Sequence, residues 1–244
     1  MTSQTPFLYR DFLEARDRLE HALTQDEETY ALLTGDTGTG KTALLRLLQK
    51  QLDRTRYRVI YFSQARKLGA GGLIKRLGEI LRVRTSMCHA VTFGRLLSAL
   101  ADDTPRLMIW LDEAHELPEE TLAEVRALAE SDLDEKAGVQ VLLCGLPRLR
   151  SDLQIRPHLW RRIVVREEIT GLLSDEIGSF LDHHFPEGTK RLCEKGIAAL
   201  FDRAKGAPGL VLPMYKAVLR GVTSTKGTID VHHVEEALDR WDLA

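Results

Sequence analysis

Residues 34–42 read TGDTGTGKT, between the apolar run Tyr30-Ala31-Leu32-Leu33 and the helical pattern Ala43-Leu44-Leu45-Arg46-Leu47-Leu48. Within it, Gly35, Asp36, Thr37, Gly38, Thr39, Gly40, Lys41 and Thr42 satisfy G-x-x-x-x-G-K-[ST] in the strand-to-helix setting that the motif requires. The glycines let backbone N–H groups turn inward around a β-phosphate. Lys41 supplies a point charge to the β/γ oxygens, and the Thr42 hydroxyl is a ligand for Mg²⁺. The bland alternative, an ordinary glycine-rich turn, is disfavoured by the complete pattern in that setting.

Working outward, further short apolar runs stand at Arg58–Phe62, Leu107–Leu111, Val139–Cys144 and Ile163–Val165, each bounded by polar, Gly or Pro residues. With Tyr30–Leu33 they predict five strands. Helical spacing appears at 10–23, 41–52, 71–82, 93–100 and 118–130. Strands alternating with helices predict a parallel sheet covered on both faces. After about residue 169 the strand signal stops, and four helical patterns follow at 174–185, 191–204, 209–220 and 230–241, broken at 186–188 and 221–227. The expected organisation is an α/β nucleotide-binding domain over 1–169 and a small all-helical domain over 170–244.

A metal held at the cradle needs a second site, and Leu107-Met108-Ile109-Trp110-Leu111-Asp112-Glu113 offers one: a buried strand ending in two carboxylates. Asp112 is suited to bind Mg²⁺ through its hydration shell, and Glu113 to orient and polarise an attacking water. Together with the cradle they predict ATP hydrolysis. Asp112-Glu113-Ala114-His115 also spells the DEAH of a helicase family, but that reading needs a second motor domain for which 244 residues leave no room.

Composition narrows the setting. A 43% apolar chain of this length buries a substantial core. Cysteines at 88, 144 and 193 have no paired spacing, which suits a reducing compartment. No stretch reaches the roughly 18 apolar residues of a membrane span, and the start has no leader pattern. A cytoplasmic protein with no membrane partner is expected. The pairs His183-His184 and His232-His233 point about 100° apart on a helix, poorly placed to share a metal, and read as surface or capping residues.

The net charge of −2 hides a segregation. Between residues 54 and 95 stand ten basic residues and one acid, Glu79, so that this window carries +9. On the 71–82 helix, Lys75 and Arg82 are expected opposite the apolar stripe, with Arg76 beside them and Lys67 in the preceding loop. Such a track suits contacts to a phosphate backbone, hence sequence-indifferent binding of duplex DNA. The alternative is a solvated polar face.

The stretches LLTGDTGTGKTALLRLLQKQL, IWLDEAHELPEETLAEVRAL, VQVLLCGLPRLRSDL and GIAALFDRAKGAPGLVLPMYKAVL resemble those of AAA+ ATPases. More closely, they resemble the ExeA and TnsC-like branch, which includes secretion ATPases and ATP-dependent transposition regulators. The resemblance implies a sheet ordered 5-1-4-3-2, a helical lid from about residue 170 and a site completed between subunits. It places a neighbour-supplied arginine before the fifth strand, where Arg161 and Arg162 are the candidates. It also exposes two departures. Leu146 stands where a polar residue would sense the γ-phosphate, and Gly209 stands where an arginine often follows the lid proline, so slow hydrolysis is expected.

The resulting expectation is an AAA+ protein that uses ATP and Mg²⁺, assembles on DNA as a ring or helical filament, and recruits or regulates a transposase, with a target-selection protein as a further candidate partner. Two alternatives stand beside it. One is a secretion-assembly ATPase, whose relatives carry a membrane span and wall-binding part not seen in this sequence. The other is a nucleotide switch that binds only protein.

Overall fold

The computed structural model describes residues 6–24, 30–64, 69–101, 105–129, 139–185, 189–221 and 229–242. Lys67, the predicted break at 186–188 and, apart from Gly221, the predicted break at 221–227 lie outside them. The chain divides into two units: one gathers 1–14, 35–43 and 169–244, the other 15–34 and 44–168.

The second unit is built on the sheet. Its strands are β1 (Tyr30–Gly35), β2 (Tyr57–Phe62), β3 (Arg106–Leu111), β4 (Gln140–Gly145) and β5 (Ile163–Ile169). They lie in the order β2-β3-β4-β1-β5, which is the expected 5-1-4-3-2 read from the opposite edge. The β2–β3, β3–β4 and β4–β1 pairings are parallel, with Ile60 level with Ile109, and Ile109 and Ala31 level with Val141 and Leu142 in turn. Every residue of β1 and β4 is buried. A strand covered on both faces needs apolar side chains at successive positions, which is why these segments read as unbroken Leu/Val runs.

Helices α2 (Lys41–Gln51), α3 (Ala70–Leu81), α4 (His89–Ala101), α5 (Glu119–Ala129), α6 (Arg148–Gln154) and α7 (Pro157–Trp160) are interleaved with the strands. Leu73 and Leu77 of α3, Leu96 of α4 and Val125 of α5 share one core with Ile60, Ile109 and Leu143. Burying each such side chain contributes about 1.5–3 kcal/mol.

The helices α6 and α7 had no counterpart in the sequence expectation, and three expected elements have different bounds. β5 continues to Ile169 through the polar residues Arg166-Glu167-Glu168, which only an edge strand tolerates. α4 begins four residues before its apolar spacing does, because Ala90 and Val91 of its first turn face solvent. α3 stops at Leu81, so Arg82 is not on the helix. It occupies the C-cap in the left-handed region (φ 58°, ψ 31°), its N–H directed to the carbonyls of Gly78 and Glu79. This places Arg82 outside the helical face shared by Lys75.

The first unit holds the phosphate cradle and α8 (Ile177–His184), α9 (Glu194–Ala204), α10 (Pro208–Gly221) and α11 (Val231–Asp242). The last three pack together through Leu200, Val211, Met214, Val218, Val234 and Leu238, all buried. α9 is capped by Cys193, whose Sγ accepts from Gly196 N–H at 3.3 Å. Asp230 caps α11 by accepting from His233 N–H at 3.0 Å. Helix α1 (Arg10–Thr24) begins in this unit and continues into the other. Among the described residues no helix is long and apolar enough to cross a membrane.

Candidate functional site

The cradle leaves β1 at Gly35 and closes at Lys41, the first residue of α2. Gly38 and Gly40 sit at φ 84° and 106°, a region that a side chain makes costly, so the loop curls with its amides inward. The Thr39 hydroxyl donates to the Asp36 carbonyl at 2.8 Å and ties the turn internally. Lys41 is only 8% exposed, and its Nζ donates to the carbonyls of Gly35 and Asp36, both at 2.7 Å. A desolvated ammonium is thereby held over the loop where phosphate charge would lie. Asp36 and Thr37 are exposed at its rim, and Thr42 follows Lys41 half-buried in the first turn of α2. These residues fit a nucleoside triphosphate.

Two contacts made by the cradle were not legible beforehand. The hydroxyl of Tyr9, thirty residues away in sequence, donates to the Thr39 carbonyl, and burial pushes this phenol well above its ordinary range, so it remains a donor. On the other side, Gly209 N–H of α10 donates to the Gly38 carbonyl at 2.9 Å. A Cβ on Gly209 would stand 2.9 Å from Gly38 Cα and 3.1 Å from its carbonyl oxygen. The position where an arginine was expected is therefore a point of backbone-to-backbone packing.

In the other unit, Asp112 and Glu113 follow β3 directly. Asp112 is buried, its Oδ2 accepts from the Tyr61 hydroxyl at 2.6 Å, and its Oδ1 accepts from Glu113 N–H at 3.0 Å. Burial, with the hydrogen bond to Asp112 next, pushes the Tyr61 phenol upward, so it too stays a donor. A donor on each oxygen fixes the orientation of the carboxylate, which suits a cation reached through water. Taken separately, the Asp112 carboxylate of this unit and the Thr42 hydroxyl at the end of the cradle are each the kind of oxygen ligand that suits Mg²⁺.

Glu113 takes a left-handed backbone conformation (φ 56°, ψ 33°), and its side chain is 49% exposed. It opens a short 3-10 helix, Ala114–Glu116, on which the His115 side chain is buried. His115 Nδ1 accepts from Leu146 N–H at 3.2 Å, and Nε2 lies 3.4 Å from Glu113 Oε2. Tyr61 and His115 are site residues that sequence spacing did not reveal.

Arg161 and Arg162 are both exposed between α7 and β5. Nearby, Arg166 lies over the Trp160 ring at 4.0 Å and donates to the Trp160 carbonyl at 2.7 Å, which fastens α7 to β5. Ile155 and Val164 are 78% and 54% exposed on the same stretch.

The described part of the basic window occupies the edge strand β2 and the two helices after it. Lys75, Arg76 and Arg82 are exposed there. Arg76 pairs with Glu79 at 2.9 Å, while Arg58 and Arg95 donate to the carbonyls of Ile80 and Arg84, both at 2.9 Å. Several of these cations therefore also fasten helix ends.

A cradle after β1, paired carboxylates after β3, and the order β2-β3-β4-β1-β5 define a P-loop nucleoside triphosphatase. Residues 24–153, more than half of the chain, match the AAA domain family. The chain belongs to that family and is an AAA+ ATPase that binds nucleotide.

Over 176 residues the chain is 28% identical to General secretion pathway protein A of Aeromonas hydrophila, covering 69% of this chain and 31% of that protein. It thus spans about a third of that relative's length. Its fold is similar to the Orc1 protein of Aeropyrum pernix solved in complex with DNA (TM-score 0.69, 17% identity, 99% of this chain and 68% of that one). It is also similar to Cdc6p of Pyrobaculum aerophilum (0.68, 16%, 99% and 65%). Drosophila ORC bound to DNA is a further structural neighbour (0.62, 15%, 100% and 70%). At these identities the likeness is one of fold.

Proposed function

We propose that this ATPase binds duplex DNA without sequence preference when loaded with ATP, assembles on it as a ring or filament, and recruits or regulates a transposase. The observation that carries the DNA reading is the concentration of exposed Lys75, Arg76, Arg82, Arg84, Arg54 and Arg56 on β2, α3 and their flanking turns, in a chain whose net charge is −2. Lys67 belongs to the same stretch of sequence. Orc proteins of similar fold, solved with DNA, support this reading. The transposase, with any target-selection partner, follows from the resemblance to TnsC-like regulators.

In this reading Gly35–Thr42 hold the triphosphate and Lys41 turns from the loop carbonyls to the phosphate oxygens. A bound Mg²⁺ would screen phosphate charge, held by Thr42 directly and by Asp112 through water. Glu113 orients the attacking water. Arg161 or Arg162 reaches the nucleotide of a neighbouring copy, so that nucleotide state controls assembly. The exposed Ile155 and Val164 beside them suit an interface between copies. Residues 170–244 act as the lid. With Leu146 and Gly209 contributing no polar side chain, turnover is slow, and ATP marks the assembled state.

The test is co-sedimentation and electron microscopy of the full chain with nonspecific duplex DNA at low salt. Assembly with ATP or a slowly hydrolysed analogue, but not ADP, is the expected result; no assembly in any nucleotide state sinks the reading. The match to a secretion protein favours a second reading, an assembly ATPase acting on envelope structures. Lys75→Glu with Arg82→Glu separates them. DNA affinity drops about 10- to 100-fold under the first reading, as expected for losing two phosphate contacts, and is absent throughout under the second.

A further inference from the structure

We propose that His115 is a positioning residue for Glu113, and that it takes its own orientation from the backbone amide of Leu146 at the end of β4. The inference rests on the reading of Glu113 as the residue that activates water.

The His115 side chain is 2% exposed, so its ring nitrogens must find protein partners. Leu146 N–H donates to Nδ1, which makes Nδ1 the unprotonated nitrogen of a neutral ring and leaves the proton on Nε2. Nε2, 3.4 Å from Glu113 Oε2, then faces the carboxylate as a donor. The ring bridges the end of β4 to the carboxylate, with the proton direction set by the backbone.

The seat is specific to this ring. A Cβ on Gly145 would stand 2.8 Å from His115 Nδ1 and 3.3 Å from His115 N, so the bare residue before Leu146 is what admits the imidazole. Glu113, half exposed on a left-handed backbone, makes no other side-chain contact that would fix its rotamer among those described. A long carboxylate side chain left free loses its aim at a water, and a neutral N–H donor restores it without withdrawing the negative charge. Leu146, unable to hydrogen-bond through its side chain, still acts at the site through its amide.

A satisfied core histidine with no role in the reaction would show the same burial, and kinetics separate the two. His115→Ala and the volume-filling His115→Phe are expected to lower kcat for ATP hydrolysis about 10- to 100-fold while leaving KM and binding of a fluorescent ATP analogue within about twofold. His115→Gln, whose amide presents an acceptor and a donor, is expected to restore most of kcat. In a Glu113→Gln background, His115→Ala should change nothing further. Wild-type kcat in His115→Ala, or no difference between Ala and Gln, overturns the proposal. If Glu113→Gln itself turns over normally, the failure lies in the assignment of Glu113 instead. Should the variants unfold, ¹⁵N NMR of the full wild-type chain still decides. A His115 ring protonated on Nε2 supports the bridge, and one protonated on Nδ1 overturns it.

Discussion

Glu113→Gln is expected to leave ATP binding intact and slow hydrolysis by about 10²–10⁴-fold, the usual worth of a positioned base, which single-turnover assays would measure. Lys41→Ala should instead abolish nucleotide binding, since the neutral side chain removes the one buried cation of the loop. The Gly38–Gly209 contact makes a different prediction. Gly209→Arg, which places back the expected arginine, should lower ATP affinity and cost about 1–3 kcal/mol of stability, because its Cβ meets backbone that cannot swing aside. Thermal melting with and without ATP checks both effects. At this scale the sequence was informative where the chemistry is contiguous. Gly35–Thr42 and Asp112-Glu113 could be recognised because their spacing alone carries the geometry. Tyr9, Tyr61 and His115 could not, because each meets its partner across 30, 51 and 31 residues, through polar contacts that leave no periodic trace.

Among elements, α11 offers a direct test of capping. Asp230 is held below the ordinary carboxylate range chiefly by the backbone N–H of His233, then by its ring. A depressed carboxyl stabilises the fold fully above its unfolded pKa of about 3.9, and that contribution is lost as pH falls through the lower folded value. Asp230→Asn should therefore flatten the acid limb of the stability profile, with little change near pH 7, since Asn is also a good cap. Acid titration followed by circular dichroism measures this. The strands in the middle of the sheet were legible as continuous apolar runs, whereas β5 was truncated because an edge strand carries charge without penalty. α6 and α7 were missed for another reason: seven and four residues are too few for a helical period to declare itself. Arg82 fell off its helix because Gly78 admits the turn that ends α3, and no periodicity in the apolar residues marks such a stop.

For the whole molecule, the separation of charge matters more than its total. Binding to duplex DNA through phosphates should weaken steeply with salt, and each lost contact should lower the magnitude of the log–log slope by about 1. Lys75→Glu and Arg82→Glu are expected to do so, while Arg76→Ala, which also frees Glu79, should leave affinity lower still than its share of the slope implies. Self-association should depend on the opposite stretch: Ile155→Asp with Val164→Asp is expected to leave ATP binding unchanged and remove ATP-dependent oligomers in sedimentation velocity. The parallel sheet and its cradle were legible at this scale from the apolar runs, whereas the strand order that puts the basic window at the β2 edge, a property of the assembled sheet, came from the family resemblance.

One consequence concerns how such a protein tolerates change. At Leu146 and Gly209 the contribution to the site is a main-chain N–H, which nineteen of the twenty amino acids supply equally. Alanine scanning would pass over Leu146 as indifferent and report Gly209 only as a steric defect. Interrogating the first would take an amide-to-ester exchange, and the residue there is free to drift across generations while its role stays fixed.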